Sequence, residues 1–215
     1  MKKGMFISFE GPDGSGKSTH IRLLSEKLKA QGYVVTVTRE PGGCPISEKI
    51  RELVLDPANS EMTPMAEALL YAAARAQHVS EVITPALARG EIVITDRFVD
   101  SSVVYQGVGR GLGEAVVQQI NRPATGGLMP DVTFFMAVDT GETARRISDR
   151  EQDRLELAGK SFHDRVYDGF RQLAHDNPVR MVIIDATKPK PEVHAAVLAA
   201  VADRLNAAKN AEDER

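Results

Sequence analysis

The 215-residue sequence has one cysteine, little net charge and no long apolar run, and each absence excludes a class of protein. Because Cys44 has no possible partner within the chain, an internal disulfide is impossible, which suits a reducing cytosol. The net charge of −3 does not indicate broad affinity for nucleic acids or membrane surfaces. The apolar run that ends at Glu10 is too short for a signal peptide, and no stretch reaches the length of a membrane span. These features predict a cytoplasmic protein whose partners include neither a membrane nor a polynucleotide.

A glycine-rich phosphate-binding loop with the pattern G-x-x-x-x-G-K-S lies near the start of the chain. The pattern comprises Gly11, Pro12, Asp13, Gly14, Ser15, Gly16, Lys17 and Ser18, and Thr19 follows it. An apolar run at 5–9 predicts a strand before the loop, and the spacing over 21–28 predicts a helix after it. In this context backbone N–H groups and the positive helix end would hold a phosphate. Lys17 is predicted to reach the β- and γ-phosphates of a nucleotide, and the Ser18 hydroxyl to ligate Mg²⁺.

The rest of the chain alternates between strand-like apolar runs and helical patterns. Further strands are predicted over 33–38, 92–95, 132–138 and 181–184, and the clearest helices over 62–82 and about 192–205. The run at 92–95 is apolar throughout, which predicts burial on both faces of the sheet. The alternation predicts an α/β fold with a five-stranded parallel sheet between two helical layers, in one domain at 1–206. The polar tail at 207–215 has no apolar face to bury and is predicted to fray.

The phosphate-binding loop alone does not define the reaction, because switch GTPases, transport ATPases and small-molecule kinases all contain it. A GTPase should show an Asn-Lys-x-Asp guanine motif, and no Asn-Lys pair occurs in the sequence. A kinase needs a second phosphate site that faces the first. Asp96 and Arg97 follow the strand predicted at 92–95, at the edge of the sheet where ligands bind. The carboxylate is placed to hold Mg²⁺ and the guanidinium to clamp a phosphate, which favours a kinase.

A second basic cluster comprises Arg146, Arg150 and Arg154, which are four residues apart and would share one face of a helix. Acidic residues lie among them, so a solvated face of ion pairs is the ordinary interpretation. Phosphoryl transfer, however, needs positive charge over the migrating group, which a mobile segment often supplies. The cluster therefore also indicates an Arg-rich lid near 145–160.

Five motifs follow one another along the chain: the phosphate-binding loop, TREPGG at 38–43, LLYAAAR at 69–75, DRFVDSSVVYQG at 96–107 and the Arg-rich segment. In this order they resemble the motifs of the bacterial thymidylate kinases, which make dTDP from dTMP and ATP. The resemblance covers nearly the whole chain and implies the three-layer P-loop kinase fold, with ATP and dTMP as substrates, Mg²⁺ as cofactor and a homodimer. Two alternatives stay open. One is another nucleoside-monophosphate or deoxynucleoside kinase, and the other is a P-loop switch or partner-binding ATPase.

The same resemblance implies roles for individual residues. Asp13 would receive the deoxyribose 3′-OH, Arg75 would donate to thymine O4, and Tyr71 would stack on the base where the family usually has Phe. The dTMP-binding residues that it implies are Asp13, Arg39, Glu40, Pro41, Arg51, Tyr71, Arg75, Arg97, Ser102, Tyr105 and Gln106. On the ATP side, the loop residues would be joined by Arg146 against adenine and by Thr187 and Lys188 in the adenine loop. The catalytic positive charges would come from Lys17, Arg97, Arg150 and Arg154, and the metal ligands would be Ser18 and Asp96.

Overall fold

A parallel five-stranded sheet lies at the centre of the computed structural model, which describes residues 4–146 and 152–213. The strands are β1 (Met5–Glu10), β2 (Val35–Arg39), β3 (Ile92–Asp96), β4 (Val132–Ala137) and β5 (Met181–Asp185). Their order across the sheet is β2-β3-β1-β4-β5, and every neighbouring pair is parallel. The sheet and the helices around it confirm the predicted α/β fold.

Nine α-helices are present in the described parts of the chain. They are α1 (Lys17–Ala30), α2 (Pro45–Leu55), α3 (Pro64–His78), α4 (Thr84–Ala88), α5 (Val99–Ser102), α6 (Glu114–Thr125), α7 (Thr140–Arg146), α8 (Lys160–Asp176) and α9 (Lys190–Asp213). A π-helical segment at Val79–Ile83 joins α3 to α4, a second at Val103–Gly109 follows α5, and a 3₁₀ turn at Glu156–Ala158 precedes α8. Among the described residues, no helix combines the length and apolarity needed to span a membrane.

Two helix boundaries differ from the prediction. The pattern over 62–82 forms α3 and the π-helical segment rather than one regular helix, and Pro85, which has no N–H to donate, follows directly in α4. The last helix was predicted to end near 205, but α9 continues to Asp213. Helix-forming residues such as Ala and Lys can extend an established helix without burying a face.

The sheet separates two apolar cores. Ile7 and Phe9 of β1 pack with residues of α1 and α9 on one face. Phe6, the neighbour of Ile7 in the same strand, packs on the other face with Phe135 of β4 and Phe170 of α8. Because successive side chains of a strand point to opposite faces, a strand between two helical layers is apolar throughout. The buried strand β3 confirms this prediction for 92–95.

The strand register aligns the carboxyl ends of β1, β2 and β3. Asp96 is paired in register with Phe9 of β1 and with Arg39 of β2. The chain leaving each strand stays bonded to its neighbour, since the Arg97 N–H donates to the Phe9 carbonyl and the Glu40 N–H to the Asp96 carbonyl, both at 2.9 Å. Polar residues that follow three different strands therefore meet at one edge of the sheet.

Candidate active site

The phosphate-binding loop connects β1 to α1 through backbone conformations that favour glycine. Gly11 has a φ of 131°, and a Cβ at this position would lie 2.8 Å from the Met136 carbonyl oxygen. Gly16, the residue before α1, has a φ of 91°. Lys17 folds back over the loop and donates to the carbonyls of Gly11 and Pro12, both at 3.0 Å. The amino group is thus held inside the loop that would receive a phosphate.

Lys17 is buried, and burial lowers the pKa of its ammonium group. The positive charge of Arg97 lowers this pKa further, whereas Asp96, Asp13 and Glu10 act in the opposite direction. An anion bound in the loop would favour the charged lysine and offset the cost of burying it.

The two predicted metal ligands lie together at the mouth of the loop. The Ser18 hydroxyl donates to Oδ2 of Asp96 at 3.2 Å, across 78 positions of sequence. A hydroxyl and a carboxylate are oxygen donors of the kind that Mg²⁺ prefers, and Mg²⁺ commonly keeps waters and binds substrate phosphates as well. Within the described residues, no group of three or more His, Cys, Asp or Glu side chains could hold a metal ion. Ser18 and Asp96 therefore fit a Mg²⁺ site in which water and substrate phosphates would supply the remaining ligands.

Arg97 has a backbone φ of 70°, in the left-handed region that costs a non-glycine residue about 1–2 kcal/mol. Its guanidinium donates to Asp13 of the loop at 3.0 Å and to the Ser101 hydroxyl at 3.1 Å, and it lies 5.1 Å from the centroid of the Tyr105 ring. Burial alone would lower the pKa of Arg97, but the charges around it, Asp13 foremost, raise that pKa. Arg97 therefore presents a permanent positive charge beside the loop.

Glu10, the last residue of β1, accepts hydrogen bonds from the segment that follows Arg97. It was not predicted as a site residue. Its carboxylate accepts from the Phe98 N–H at 2.8 Å and from the Ser101 hydroxyl at 2.5 Å. Burial and the neighbouring charge of Asp100 raise the pKa of Glu10 to about 7. The sequence did contain a signal for this role, because Glu10 ends a predicted apolar strand. A carboxylate buried in that position needs hydrogen-bond partners.

A cavity that opens to solvent is lined in part by Arg97, and the empty space within it and at its mouth is about 520 Å³. Its lining comprises Asp13, Glu40, Pro41, Arg51, Leu55, Tyr71, Arg75, Arg97, Ser101, Ser102, Tyr105, Gln106, Asp153 and Leu155. The set includes ten of the eleven residues predicted to bind dTMP. Arg39 is the exception, because it pairs with Glu48 at 2.9 Å and lines a neighbouring groove that also contains Ser18 and Asp96.

Arg75 lines this cavity and is buried, with 2 % of its surface exposed. Its Nε donates to Glu40 at 2.7 Å and its Nη2 to the Phe98 carbonyl at 2.9 Å. Its Nη1 donates to Ser102 at 3.0 Å and to the side-chain oxygen of Asn121. Four of the five guanidinium N–H groups are thus used within the protein, and one on Nη2 is left for a ligand.

His78 and Asn121 support this network from outside the cavity, and neither residue was predicted. His78 Nδ1 lies 3.0 Å from Glu40 Oε1, and its Nε2 lies 2.7 Å from the Thr38 hydroxyl. The second oxygen of the Glu40 carboxylate receives Arg75, so Glu40 is held from both sides. No local motif marks a histidine or an asparagine for such a role.

The two described arginines of the cluster, Arg146 and Arg154, do not share the predicted helical face. The helix α7 ends at Arg146, whose Nη1 donates to the Gly14 carbonyl of the loop at 3.1 Å. Arg154 lies beyond that helix, buried, and donates to Glu67 at 2.6 Å and to the Val54 carbonyl at 3.0 Å. The shared face of Arg146 and Arg154 was therefore wrong, because Arg154 lies in a turn and not on the helix that carries Arg146. Arg150 lies outside the described residues.

The predicted adenine-loop residues follow β5 at the same edge of the sheet. Thr187 is exposed, and its backbone N–H and its hydroxyl both donate to Asp185, at 3.1 and 2.6 Å. Lys188 is exposed next to it. The strand order separates this turn from the loop after β1 by one strand, β4.

Comparison with known proteins gives one consistent family. The family model described as thymidylate kinase matches residues 9–197. The chain is 50% identical to a thymidylate kinase of Deinococcus radiodurans, over 95% of this chain and 99% of that protein. It is also 50% identical to one from Pelotomaculum thermopropionicum, over 95% and 96% of the two chains. The fold resembles the crystal structure of thymidylate kinase from Ehrlichia chaffeensis, with a TM-score of 0.73 and 35% identity over 93% of this chain and 99% of that one.

Proposed function

Because the chain belongs to the thymidylate kinase family, we propose that its two substrate sites lie on either side of Arg97. The enzyme phosphorylates dTMP to dTDP with ATP as the phosphate donor. ATP binds at the phosphate-binding loop, and dTMP binds in the cavity lined by Arg75. The observation that carries this assignment is the position of Arg97, which lines the cavity and also donates to Asp13 of the loop.

The base of dTMP lies at the inner end of the cavity. The unused N–H of Arg75 suits thymine O4, which only accepts hydrogen bonds. Ser102 and Gln106 lie near the base edge, and the ring of Tyr71 offers a stacking surface in the same cavity. The sugar lies between Asp13 and Tyr105. Arg51 and Arg97, which line the same cavity as Glu40 and Pro41, face the phosphate.

The reaction needs positive charge more than it needs a base. At neutral pH the second pKa of a phosphate monoester, about 6, leaves dTMP largely dianionic and already nucleophilic. One of its phosphate oxygens attacks the γ-phosphorus of ATP in line, and the bond to the β-phosphate oxygen breaks, which releases ADP. Two anions must approach, so Lys17 and Arg97 act by positioning the phosphates and by neutralising their charge.

Several further residues complete the proposal. Ser18 and Asp96 would hold Mg²⁺, which supplies additional charge neutralisation when it is bound. The contact of Arg146 with the loop supports its place beside ATP, together with Thr187 and Lys188. The groove that Arg39 shares with Ser18 and Asp96 supports a contact with the phosphates. Arg154 lies between Asp153 and Leu155, which line the dTMP cavity, and this position favours a part in acceptor binding. For Arg150, which lies outside the described residues, the resemblance implies a lid role over the phosphates.

A phosphotransfer assay with dTMP, dUMP, dCMP, AMP and thymidine as acceptors tests the substrate assignment. We expect the highest kcat/KM with dTMP. A preference for dCMP or AMP would indicate a different nucleoside-monophosphate kinase, and a preference for thymidine a deoxynucleoside kinase.

The proposed metal, oligomeric state and location each have a separate test. Loss of activity in EDTA and recovery with added Mg²⁺ would support the metal. The homodimer implied by the resemblance is tested by sedimentation equilibrium, and the cytoplasmic location by fractionation of the source cells.

A further inference from the structure

Glu67 is a carboxylate with no solvent-exposed surface, located in the first turn of α3. Its Oε1 accepts from the Gln106 side-chain amide, Nε2, at 2.8 Å. Its Oε2 accepts from Arg154 at 2.6 Å and lies 3.1 Å from Nη2 of Arg110. A carboxylate in an ion pair with two guanidinium groups accepts hydrogen bonds and does not donate them.

This arrangement decides which way the Gln106 amide points. The two ends of a glutamine amide differ only in being donor and acceptor, so its hydrogen-bond partners determine its orientation. Because Glu67 can only accept, the NH₂ group of Gln106 must face it. The carbonyl, Oε1, is then the end of the amide that Gln106 can offer to a ligand in the cavity, which it lines.

We propose that Glu67 is a positioning residue that determines base selectivity by holding Gln106 with its carbonyl toward the dTMP cavity. This inference rests on the proposed function, in which Gln106 contacts the base edge. A carbonyl accepts from the N3–H of thymine. Cytosine has a bare N3, which would face the same carbonyl as a second acceptor and leave both unsatisfied. The buried carboxylate thereby favours an imide base over an amino-substituted one without touching either.

A purely structural role is the alternative, in which Glu67 only balances the charges of Arg110 and Arg154. That role predicts lower stability for a Glu67 variant and equal losses with every acceptor. The selectivity role predicts a change in the ratio of kcat/KM for dTMP to kcat/KM for dCMP. This ratio is therefore the measurement that separates the two.

The substitution Glu67→Gln is best made together with Arg110→Met, so that the buried site gains no net positive charge. The single oxygen of the introduced amide stays on Arg154, the closest donor, and its NH₂ group faces Gln106. Gln106 must then turn its own carbonyl toward position 67 and its NH₂ toward the cavity. We expect the dTMP/dCMP ratio of this double variant to fall at least tenfold below that of Arg110→Met alone.

Two controls make the result specific. Arg110→Met keeps the bond between Glu67 and Gln106, so we expect it to keep the wild-type dTMP/dCMP ratio within about twofold. The dTMP/dUMP ratio should stay within about twofold in both variants, since thymine and uracil share O4 and N3–H. A dTMP/dCMP ratio that is equal in the double variant and in Arg110→Met would overturn the positioning role.

Gln106→Ala separates this inference from the proposed function. If that variant keeps the full dTMP/dCMP ratio, Gln106 does not read the base, and the proposed dTMP site is wrong in this respect. If it erodes the ratio and the Glu67 double variant does not, only the role of Glu67 is wrong.

Should the double variant not fold, ¹⁵N-labelled wild-type enzyme gives a second measurement. We expect the Gln106 NH₂ signals, identified by their loss in Gln106→Ala, to be protected from exchange both with and without dTMP. Rapid exchange in the absence of dTMP would show that the hydrogen bond to Glu67 does not hold the Gln106 amide in place, and would contradict the proposal.

Discussion

The guanidinium of Arg97 lies 3.0 Å from the Asp13 carboxylate, and this ion pair joins the turn after β3 to the phosphate-binding loop. The pair is only partly exposed, with 15 % of the Arg97 side chain and 37 % of the Asp13 side chain accessible. Both residues also line the cavity proposed for dTMP. A phosphate that enters this cavity would therefore meet an arginine that is already oriented by the loop proposed to bind ATP.

Arg97→Lys should lower kcat/KM for dTMP by about ten- to a hundredfold. Lysine keeps the charge but not the planar fork that reaches Asp13 and Ser101 together. Steady-state kinetics checks this. Arg89→Lys is the matched control, because Arg89 pairs with Glu91 at the opposite edge of the sheet and should stay within twofold of wild type. If both substitutions change kcat/KM equally little, the assignment of Arg97 to the phosphate site is contradicted.

Lys17→Met should leave the fold intact and lower kcat by at least about a hundredfold, equivalent to about 2.7 kcal/mol of transition-state stabilisation. The ammonium group lies inside the loop, where little water screens it. Circular dichroism and turnover with dTMP are the measurements. Lys29→Met, an exposed change near the end of the same helix, serves as the control. A folded Lys17 variant with near-normal turnover would contradict the assignment of the loop.

Arg75→Ala should reduce the dTMP/dCMP ratio of kcat/KM more than the dTMP/dUMP ratio, because arginine donates to O4 and opposes an amino group. The substitution also leaves Glu40 buried without its cation, which costs about 3–5 kcal/mol of stability. Kinetics must therefore be measured at a temperature at which the variant is folded. Asn121→Ala removes a partner of the same guanidinium and should keep the selectivity. Unchanged selectivity in Arg75→Ala would exclude it as a base reader.

Arg154→Ala should raise the KM for dTMP more than it lowers kcat, and should lower the Tm. The guanidinium is buried against Glu67 and the Val54 carbonyl, and the residues on either side of Arg154 in sequence, Asp153 and Leu155, line the acceptor cavity. The sequence-based assignment to the transition state predicts the reverse pattern, a lower kcat with little change in KM. Steady-state kinetics with varied dTMP decides between them.

Glu10 should make the protein less stable as the pH rises. Its pKa is about 7 in the folded protein against 4.5 as the ordinary value, so the folded state binds the proton more tightly. Stability relative to Glu10→Gln should therefore fall between about pH 4.5 and pH 7 and level off above it, by on the order of 3 kcal/mol. Urea denaturation of both proteins without ligands, from pH 5 to pH 8, measures this difference.

The comparison with Glu10→Gln also removes the opposing effect of two histidines. Burial lowers the pKa of His20 and of His194, so their contributions increase stability with rising pH. Both histidines are present in both proteins, and their effects cancel in the difference. Parallel stability curves for the two proteins would show that Glu10 does not titrate in this range.

Much of the site was predictable because its chemistry is local in sequence. The glycine pattern at 11–18 imposes the loop on its own backbone, and apolar runs of four to seven residues identify the strands. Parallel strands place their carboxyl ends at one edge, so Asp96 and Arg97 were expected near Lys17 before any contact was known. Resemblance to a family then named the residues of the acceptor cavity.

The tertiary structure alone decided which side chains hold those residues in place. Glu67 meets Gln106 across 39 positions and Arg154 across 87, and His78 meets Glu40 across 38. Such pairs depend on how helices and loops pack at the sheet edge, and no periodicity encodes that packing. The same reason explains Arg154, because four-residue spacing predicts a shared face only where both residues are helical, and Arg154 lies in a turn. The sequence determined the chemical groups of the site and the loop that binds phosphate. The packing determined which buried carboxylate holds each group, as Glu67 holds Gln106 and Glu40 holds Arg75.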